Sequence, residues 1–314
     1  MDQAREWSRC EVWTRKLLYP GHTVPTAAAP LMVAVGLAVH HGVFAPAPAL
    51  LAFLAGWLIQ LGGVLTDNYQ NLLDEPEDRE HPELVRAVKH GTLRLSTLRQ
   101  AIWACYVMAA LAGAYLVSLA GIGVVVIGLA SIAASWAYSA GPLPIGKAGF
   151  ADPLFFFFFG IVSVLGGYYV QAAPAYDPSL WRIVPEALSW TAVAVSLPVG
   201  GLTTGILVID DIRDRKFDAL KAKRTVAVRF GIAWSRTEFI VLLAFSYLSL
   251  LWFWLGLGLS AWVLLPLATL PYAYLTARTV LTRKSYQDLL PVTPQAARLL
   301  VAFSFLLAVG LAVS

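Results

Sequence analysis

Nine apolar runs recur along the 314-residue sequence. Each is about 17 to 22 residues long, and about 20 helical residues cross the hydrocarbon layer of a bilayer. With 58% hydrophobic and 13% charged residues, the chain carries more apolar surface than one soluble core can hide. The pattern predicts an all-α integral membrane protein, a bundle of nine transmembrane helices that forms a single domain over residues 1–314. The predicted spans are 24–45, 48–66, 101–119, 122–139, 152–172, 189–209, 239–257, 260–282 and 295–314.

The basic residues between these runs fall almost entirely on one side of the predicted bundle. The N-terminal segment and two long loops, 67–100 and 210–238, hold most of them, whereas the other side receives only Arg182. Lys and Arg near membrane spans are retained on the cytoplasmic side. We therefore expect a multi-pass protein of a bacterial or archaeal cytoplasmic membrane, with the N-terminus and both long loops in the cytoplasm. This asymmetry accounts for the net charge of +4, so the lipid bilayer is an expected partner and nucleic acid is not.

A first acidic cluster follows the second predicted span. Residues 67–78 contain five carboxylates and several amide oxygens, which are the ligands that Mg²⁺ prefers. If the helix continues past the span, Asp67, Asn71 and Asp74 share one face. A solvated acidic loop is the alternative interpretation of this segment.

A second acidic cluster follows the sixth predicted span. Asp210, Asp214 and Asp218 repeat every four residues, so on a helix they form a stripe of carboxylates that repel one another. The stripe indicates a bound cation, although the interleaved Arg213 and its basic neighbours offer an internal alternative. Two such clusters with Arg and Lys nearby predict a site for a metal-bound diphosphate. Neutralised diphosphate is a good leaving group, so such a site favours cleavage of a carbon–oxygen bond.

Several longer motifs join the two clusters in a fixed order. Val85–Gly91 follows the first cluster, Tyr138–Pro144 and a phenylalanine run at 155–159 occupy the middle, and Ile209–Gly231 contains the second cluster. In this order and spacing, the sequence resembles the UbiA superfamily of membrane prenyltransferases nearly end to end, and most closely its menaquinone branch. The resemblance implies a nine-helix bundle around a central cavity, with two Mg²⁺ ions as cofactors. It also implies transfer of a polyprenyl group from polyprenyl diphosphate to an aromatic acceptor, with 1,4-dihydroxy-2-naphthoate as the expected acceptor.

The resemblance and the spacing together give a set of expected site residues. The expected metal ligands are Asp67, Asn71, Asp74, Glu77, Asp210, Asp211, Asp214 and Asp218. The expected diphosphate-binding residues are Asn68, Arg86, Lys147, Arg213, Lys223 and Arg224. Catalysis is assigned to Asp67, Asn71, Asp211, Asp214 and Asp152, with Asp152 placed near the acceptor hydroxyl. For Lys147 and Asp152, a topology-setting lysine and a helix N-cap are equal alternatives.

The sequence departs from the family pattern in both clusters. The usual Asn-Asp-x-x-Asp is replaced by Asp67-Asn68-x-x-Asn71, and the Asn-Asn pair of the menaquinone branch by Asp210-Asp211. The first cluster thus lacks carboxylates that the family pattern has, and the second cluster has carboxylates where the menaquinone branch has amides. Another aromatic acceptor or a terpene cyclase activity remains an alternative within the same fold, and homo-oligomerisation is left open. A transporter is the remote alternative. It would require ionisable residues inside the spans, whereas here they gather at the cytoplasmic ends of the spans.

Overall fold

The computed structural model describes residues 8–17, 23–74, 82–141, 144–176, 179–283 and 285–314. All regular secondary structure in these ranges is helical, which confirms the predicted all-α class. The principal helices are α1 (Thr23–His40), α2 (Pro46–Asp74), α3 (Pro82–Lys89), α4 (Leu95–Ala120), α5 (Gly123–Ser139), α6 (151–172), α7 (Trp190–Leu220), α8 (Ile232–Leu255), α9 (Leu270–Thr282) and α10 (Val292–Ala312).

Seven helices within the described ranges are long and apolar enough to cross a membrane. They correspond to α1, α2, α4, α6, α7, α8 and α10, so the chain is a multi-pass membrane protein. The two other predicted spans coincide with the 17-residue helix α5 and with the 3₁₀ segment Ala261–Thr269 followed by α9. The count of nine crossings stays a prediction.

The helices that carry the two acidic clusters extend well past the apolar runs. Helix α2 continues to Asp74 and α7 to Leu220, so both clusters begin on helices where the sequence suggested loops. No Gly or Pro interrupts 64–74 or 206–220, and these residues can stay helical once their apolar neighbours are packed. Because the helices continue, the helix period sets the direction in which each acidic side chain points.

Helix α6 changes its winding where it meets α7. Phe156–Val162 is π-helical between two α-helical parts, and there a Cβ on Gly160 would lie 2.5 Å from the Cα of Gly200 in α7. Such an approach excludes any side chain at Gly160, which is how small residues let membrane helices pack closely. The contact packs the phenylalanine run against α7, the helix that carries the second acidic cluster.

Candidate functional site

A single large cavity of about 850 Å³ contains parts of both acidic clusters. Its walls come from α2, α4, α5, α6 and α7, with a contribution from the start of α10. Over most of its length the lining is apolar, and the carboxylates are confined to one end. A cavity of this character accommodates a ligand with a long apolar part and an ionic head.

One face of α2 lines the cavity along its length. Gly56, Gln60, Gly63 and Asp67 follow one another at spacings of four and three residues, so the helix period carries the same face up to the first cluster. Asn68 also lines the cavity, and its amide Nδ2 donates to the backbone oxygen of Val64 at 2.9 Å.

Asp67 is held by hydrogen bonds from two directions. The Ser139 hydroxyl at the end of α5 donates to Oδ1 at 2.6 Å, and the Asn71 amide donates to Oδ2 at 3.1 Å. Asn71 is buried and does not line the cavity. Asn71 therefore orients the Asp67 carboxylate from outside the cavity lining.

The second cluster presents all four of its predicted metal-binding carboxylates to the same cavity, from Asp210, Asp211, Asp214 and Asp218. Arg213 neutralises part of this charge. Its Nη1 lies 2.5 Å from Asp210, and its Nε and Nη2 donate to the two oxygens of Asp214 at 2.9 and 2.5 Å. The sequence offered Arg213 as an alternative to a bound metal cation, and the structure shows that Arg213 does pair with these carboxylates. Arg213 lines the cavity together with Asp210 and Asp214.

Lys223 reaches the cavity because of the way α7 ends. The backbone N–H of Lys223 bonds to the carbonyl of Asp218 at 2.9 Å, and that of Ala222 to the carbonyl of Ala219 at 3.3 Å. Ala222 lies in the left-handed region with φ 52, which completes a Schellman turn. The turn folds Lys223 back over the helix end, and its Nζ lies 3.1 Å from Asp218.

Tyr138 links the two clusters. It lines the cavity, and its hydroxyl lies within electrostatic range of Asp67, Asp211, Asp218 and Lys223. Its ring contacts Phe155 at a centroid distance of 5.6 Å. The two acidic clusters therefore converge around one aromatic side chain at the ionic end of the cavity.

Residues 27–292 match the model of the UbiA prenyltransferase family. The chain belongs to this family. Curated relatives of this chain carry the name 1,4-dihydroxy-2-naphthoate octaprenyltransferase. The Mycobacterium tuberculosis protein is 30% identical, with 92% of this chain and 94% of the relative covered. The Escherichia coli protein is 28% identical, with 98% and 97% covered.

Solved structures of UbiA homologues share the fold. A homologue from Aeropyrum pernix matches with a TM-score of 0.64 at 17% identity, covering 92% of this chain and 97% of the homologue. A homologue from Archaeoglobus fulgidus bound to DMAPP and Mg²⁺ matches with a TM-score of 0.53 at 14% identity, covering 93% and 99%. The prediction of a UbiA-like helical bundle is confirmed.

Some of the basic residues expected at this UbiA site lie away from the cavity lining. Arg86 is exposed on α3, where Glu83 and Leu84 contribute to the lining instead. Lys147 and Arg224 are joined through their backbones at 3.0 Å, and neither is a lining residue. Phosphate roles for these three residues stay predictions, and each would require a ligand that extends beyond the cavity or a movement of the side chain.

Asp152 is also outside the lining. It is 8% exposed, and its Oδ1 is buried with no hydrogen-bond partner in the described part of the chain. It lies within electrostatic range of Asp211. The structure thus places Asp152 near Asp211 but outside the cavity lining, and its assignment to the acceptor hydroxyl stays a prediction.

Two further predicted ligands cannot be placed. Glu77 lies outside the described residues, and Asp74 ends α2 with a side chain that is outside them as well. Within the described ranges, the second acidic cluster included, no group of three or more His, Cys, Asp or Glu side chains is close enough to hold a metal ion by itself. The oxygen-rich lining still suits Mg²⁺, because this ion commonly takes only one or two protein carboxylates and completes its shell with water and substrate phosphate.

Two of the lining residues that sequence reasoning missed come from the last segment of the chain. Tyr286, in the short helix Tyr286–Leu289, and Thr293, in the first turn of α10, both line the ionic end. The Arg213 guanidinium lies 5.9 Å from the centre of the Tyr286 ring. Neither residue belongs to a motif or to a charge cluster, so no sequence signal marked them.

Proposed function

We propose that this UbiA family member transfers a polyprenyl group from polyprenyl diphosphate to 1,4-dihydroxy-2-naphthoate, a step of menaquinone synthesis. The observation that carries the proposal is the convergence of two acidic helix ends on one end of a single, otherwise apolar cavity. This arrangement separates a site for the ionic head of the donor from a site for its apolar chain.

The ionic end supplies ligands for the diphosphate and its counter-ions. Asp67 and Asn68 of α2 and the four carboxylates of α7 would hold Mg²⁺, which when bound neutralises the leaving diphosphate. Arg213 and Lys223 offer N–H donors to the remaining phosphate oxygens. Ser139 and Asn71 keep the Asp67 carboxylate in a fixed orientation.

The apolar part of the cavity serves the hydrocarbon chain and excludes water. Phe155, Phe158 and Phe159 line it together with small residues of α4 and α5. An allylic cation formed beside these rings is shielded from hydrolysis, and aromatic faces attract positive charge.

The reaction balances without a protein nucleophile. The carbon–oxygen bond of the donor breaks, and both electrons leave with the diphosphate. An electron-rich ring carbon of the acceptor forms the new carbon–carbon bond and then gives up its proton. The ring carboxylate leaves as CO₂ and is replaced by a proton.

The choice of acceptor is supported by the curated relatives, which are named for 1,4-dihydroxy-2-naphthoate and cover nearly all of this chain. The orientation is supported by the distribution of Lys and Arg, which favours a cytoplasmic N-terminus and active site. A soluble acceptor and an ionic donor head would then reach the cavity from the cytoplasm.

The test is an assay of purified protein with Mg²⁺, a polyprenyl diphosphate and 1,4-dihydroxy-2-naphthoate, with the product identified by mass spectrometry. We expect a prenylated, decarboxylated 1,4-naphthalenediol and one diphosphate released per product. Parallel reactions contain 4-hydroxybenzoate, or no acceptor. Product with 4-hydroxybenzoate alone would replace the acceptor assignment, and diphosphate release without any acceptor would indicate a cyclase.

A further inference from the structure

Thr293 bridges two oppositely charged residues of the second acidic cluster. It lies in the first turn of α10 and is 3% exposed. Its hydroxyl donates to Oδ1 of Asp210 at 2.5 Å and accepts from Nη1 of Arg213 at 3.0 Å. One side chain thus contacts an anion and a cation of another helix.

A hydroxyl group suits this position for a simple chemical reason. It has one hydrogen to donate and lone pairs to accept with, so it matches a carboxylate and a guanidinium at the same time. A methyl group in its place would remove one hydrogen bond from Asp210 Oδ1 and one from Arg213 Nη1, although these two atoms still pair with each other at 2.5 Å. The site is largely buried, since the side chains are 19% and 17% exposed.

The remaining contacts of Arg213 do not fix it equally well. Asp210 and Asp214 lie on the same helix as Arg213, so these two contacts do not tie the guanidinium to another element of the fold. Thr293 and the ring of Tyr286 come from the last segment of the chain. They anchor the guanidinium to a second element of the fold.

We propose that Thr293 is a positioning residue for the donor diphosphate, acting through Asp210 and Arg213. It sets the separation and direction of one carboxylate and one guanidinium at the ionic end of the cavity. The proposal rests on the proposed function only for its ligand, a prenyl diphosphate. It does not depend on the identity of the acceptor.

The experiment measures donor binding without an acceptor. The dissociation constant of geranyl diphosphate with Mg²⁺ is determined for the purified protein and for Thr293→Val, which keeps the shape and removes the hydroxyl. We expect about tenfold weaker binding, as is usual for a hydrogen bond lost next to charged groups. Thr293→Ser restores the hydroxyl and should bind within about twofold of the unmodified protein.

Thr276→Val is the matched structural control. The Thr276 hydroxyl also ties α10 to a neighbouring helix, since it accepts from Gln295 at 3.0 Å, but it lies outside the cavity lining. Its loss should leave donor binding unchanged. Equal weakening in Thr276→Val and Thr293→Val would assign the effect to helix packing and overturn the proposal.

The outcomes separate this proposal from the proposed function. If the unmodified protein does not bind geranyl diphosphate, the donor site itself fails, and the role of Thr293 fails with it. If the unmodified protein binds and Thr293→Val binds as tightly, only the role of Thr293 is refuted. If Thr293→Val is unstable, donor binding is compared between Thr293→Ser and Thr293→Ala, because these two variants differ by the hydroxyl alone. Equal affinity of the two variants for geranyl diphosphate would refute the role of Thr293.

Discussion

Ser139 donates a hydrogen bond of 2.6 Å to Asp67, across 72 positions of sequence. The bond joins the end of α5 to the acidic end of α2. It fixes one carboxylate oxygen of the first cluster, while Asn71 holds the other at 3.1 Å. The orientation of this carboxylate toward the cavity therefore depends on a helix that carries no acidic motif.

Replacing Ser139 with Ala should weaken the use of the prenyl diphosphate. Asp67 keeps Asn71 but loses a hydrogen bond to a charged group, so we expect the KM for the donor to rise about three- to tenfold. Steady-state kinetics at saturating acceptor measure the change. Ser249→Ala is the control, because the buried Ser249 hydroxyl donates to Phe245 of its own helix at 2.7 Å, away from the cavity. A donor KM that is unchanged in Ser139→Ala would contradict the role given to Ser139.

Removal of divalent cations should abolish turnover. The lining carboxylates of α7 repel a diphosphate unless cations intervene, so dialysis against EDTA is expected to stop product formation and added Mg²⁺ to restore it. Asp67→Asn should raise the Mg²⁺ concentration for half-maximal rate by about tenfold. Full activity in EDTA would show that Arg213 and Lys223 suffice to bind the donor.

Replacing Ala222 with Gly should stabilise the protein. Ala222 has φ 52 at the end of α7, a conformation that costs a non-glycine residue about 1 kcal/mol. We expect a gain of about this size in the free energy of unfolding, followed in detergent by thermal denaturation. Ala219→Gly, one turn earlier in the same helix, should instead destabilise by about 0.5 to 1 kcal/mol. A loss of stability in both variants would argue against the left-handed turn that places Lys223.

The phenylalanine run should divide into two functional classes. Phe159 lines the cavity and contacts Phe155 at a centroid distance of 4.8 Å, whereas Phe157 is 49% exposed. Phe159→Ala removes apolar surface next to the prenyl chain, so the KM for a long-chain donor should rise about tenfold. Phe157→Ala should leave it within about twofold. Equal effects of the two substitutions, measured with the same donor, would refute the assignment of the lining face.

Helix periodicity explains why much of the site was predictable. Asp210, Asp214 and Asp218 repeat every four residues and do line one cavity, together with Asp211. Five consecutive phenylalanines on a helix must place rings on several faces, and Phe157 is separated from the rings that line the cavity. These predictions used only the geometry of a single helix.

Other predictions depended on how side chains lie relative to distant helices. Arg86 was expected at the phosphate and is exposed on α3, whereas Tyr286 and Thr293 were not expected and line the cavity. Asn71 shares a face with Asp67 as predicted, yet it bonds to that carboxylate from outside the lining. Their positions follow from the packing of separate elements, which a local pattern does not encode.

The sequence by itself determined the membrane helices, the family and the two acidic clusters, because hydrophobic length and helical period are local properties of the chain. Only the tertiary structure decided that Ser139 orients Asp67 and that Thr293 joins Asp210 to Arg213. The physical reason is that a hydrogen bond or ion pair requires atoms within about 3 Å of each other. That separation between remote residues is set by the packing of whole helices.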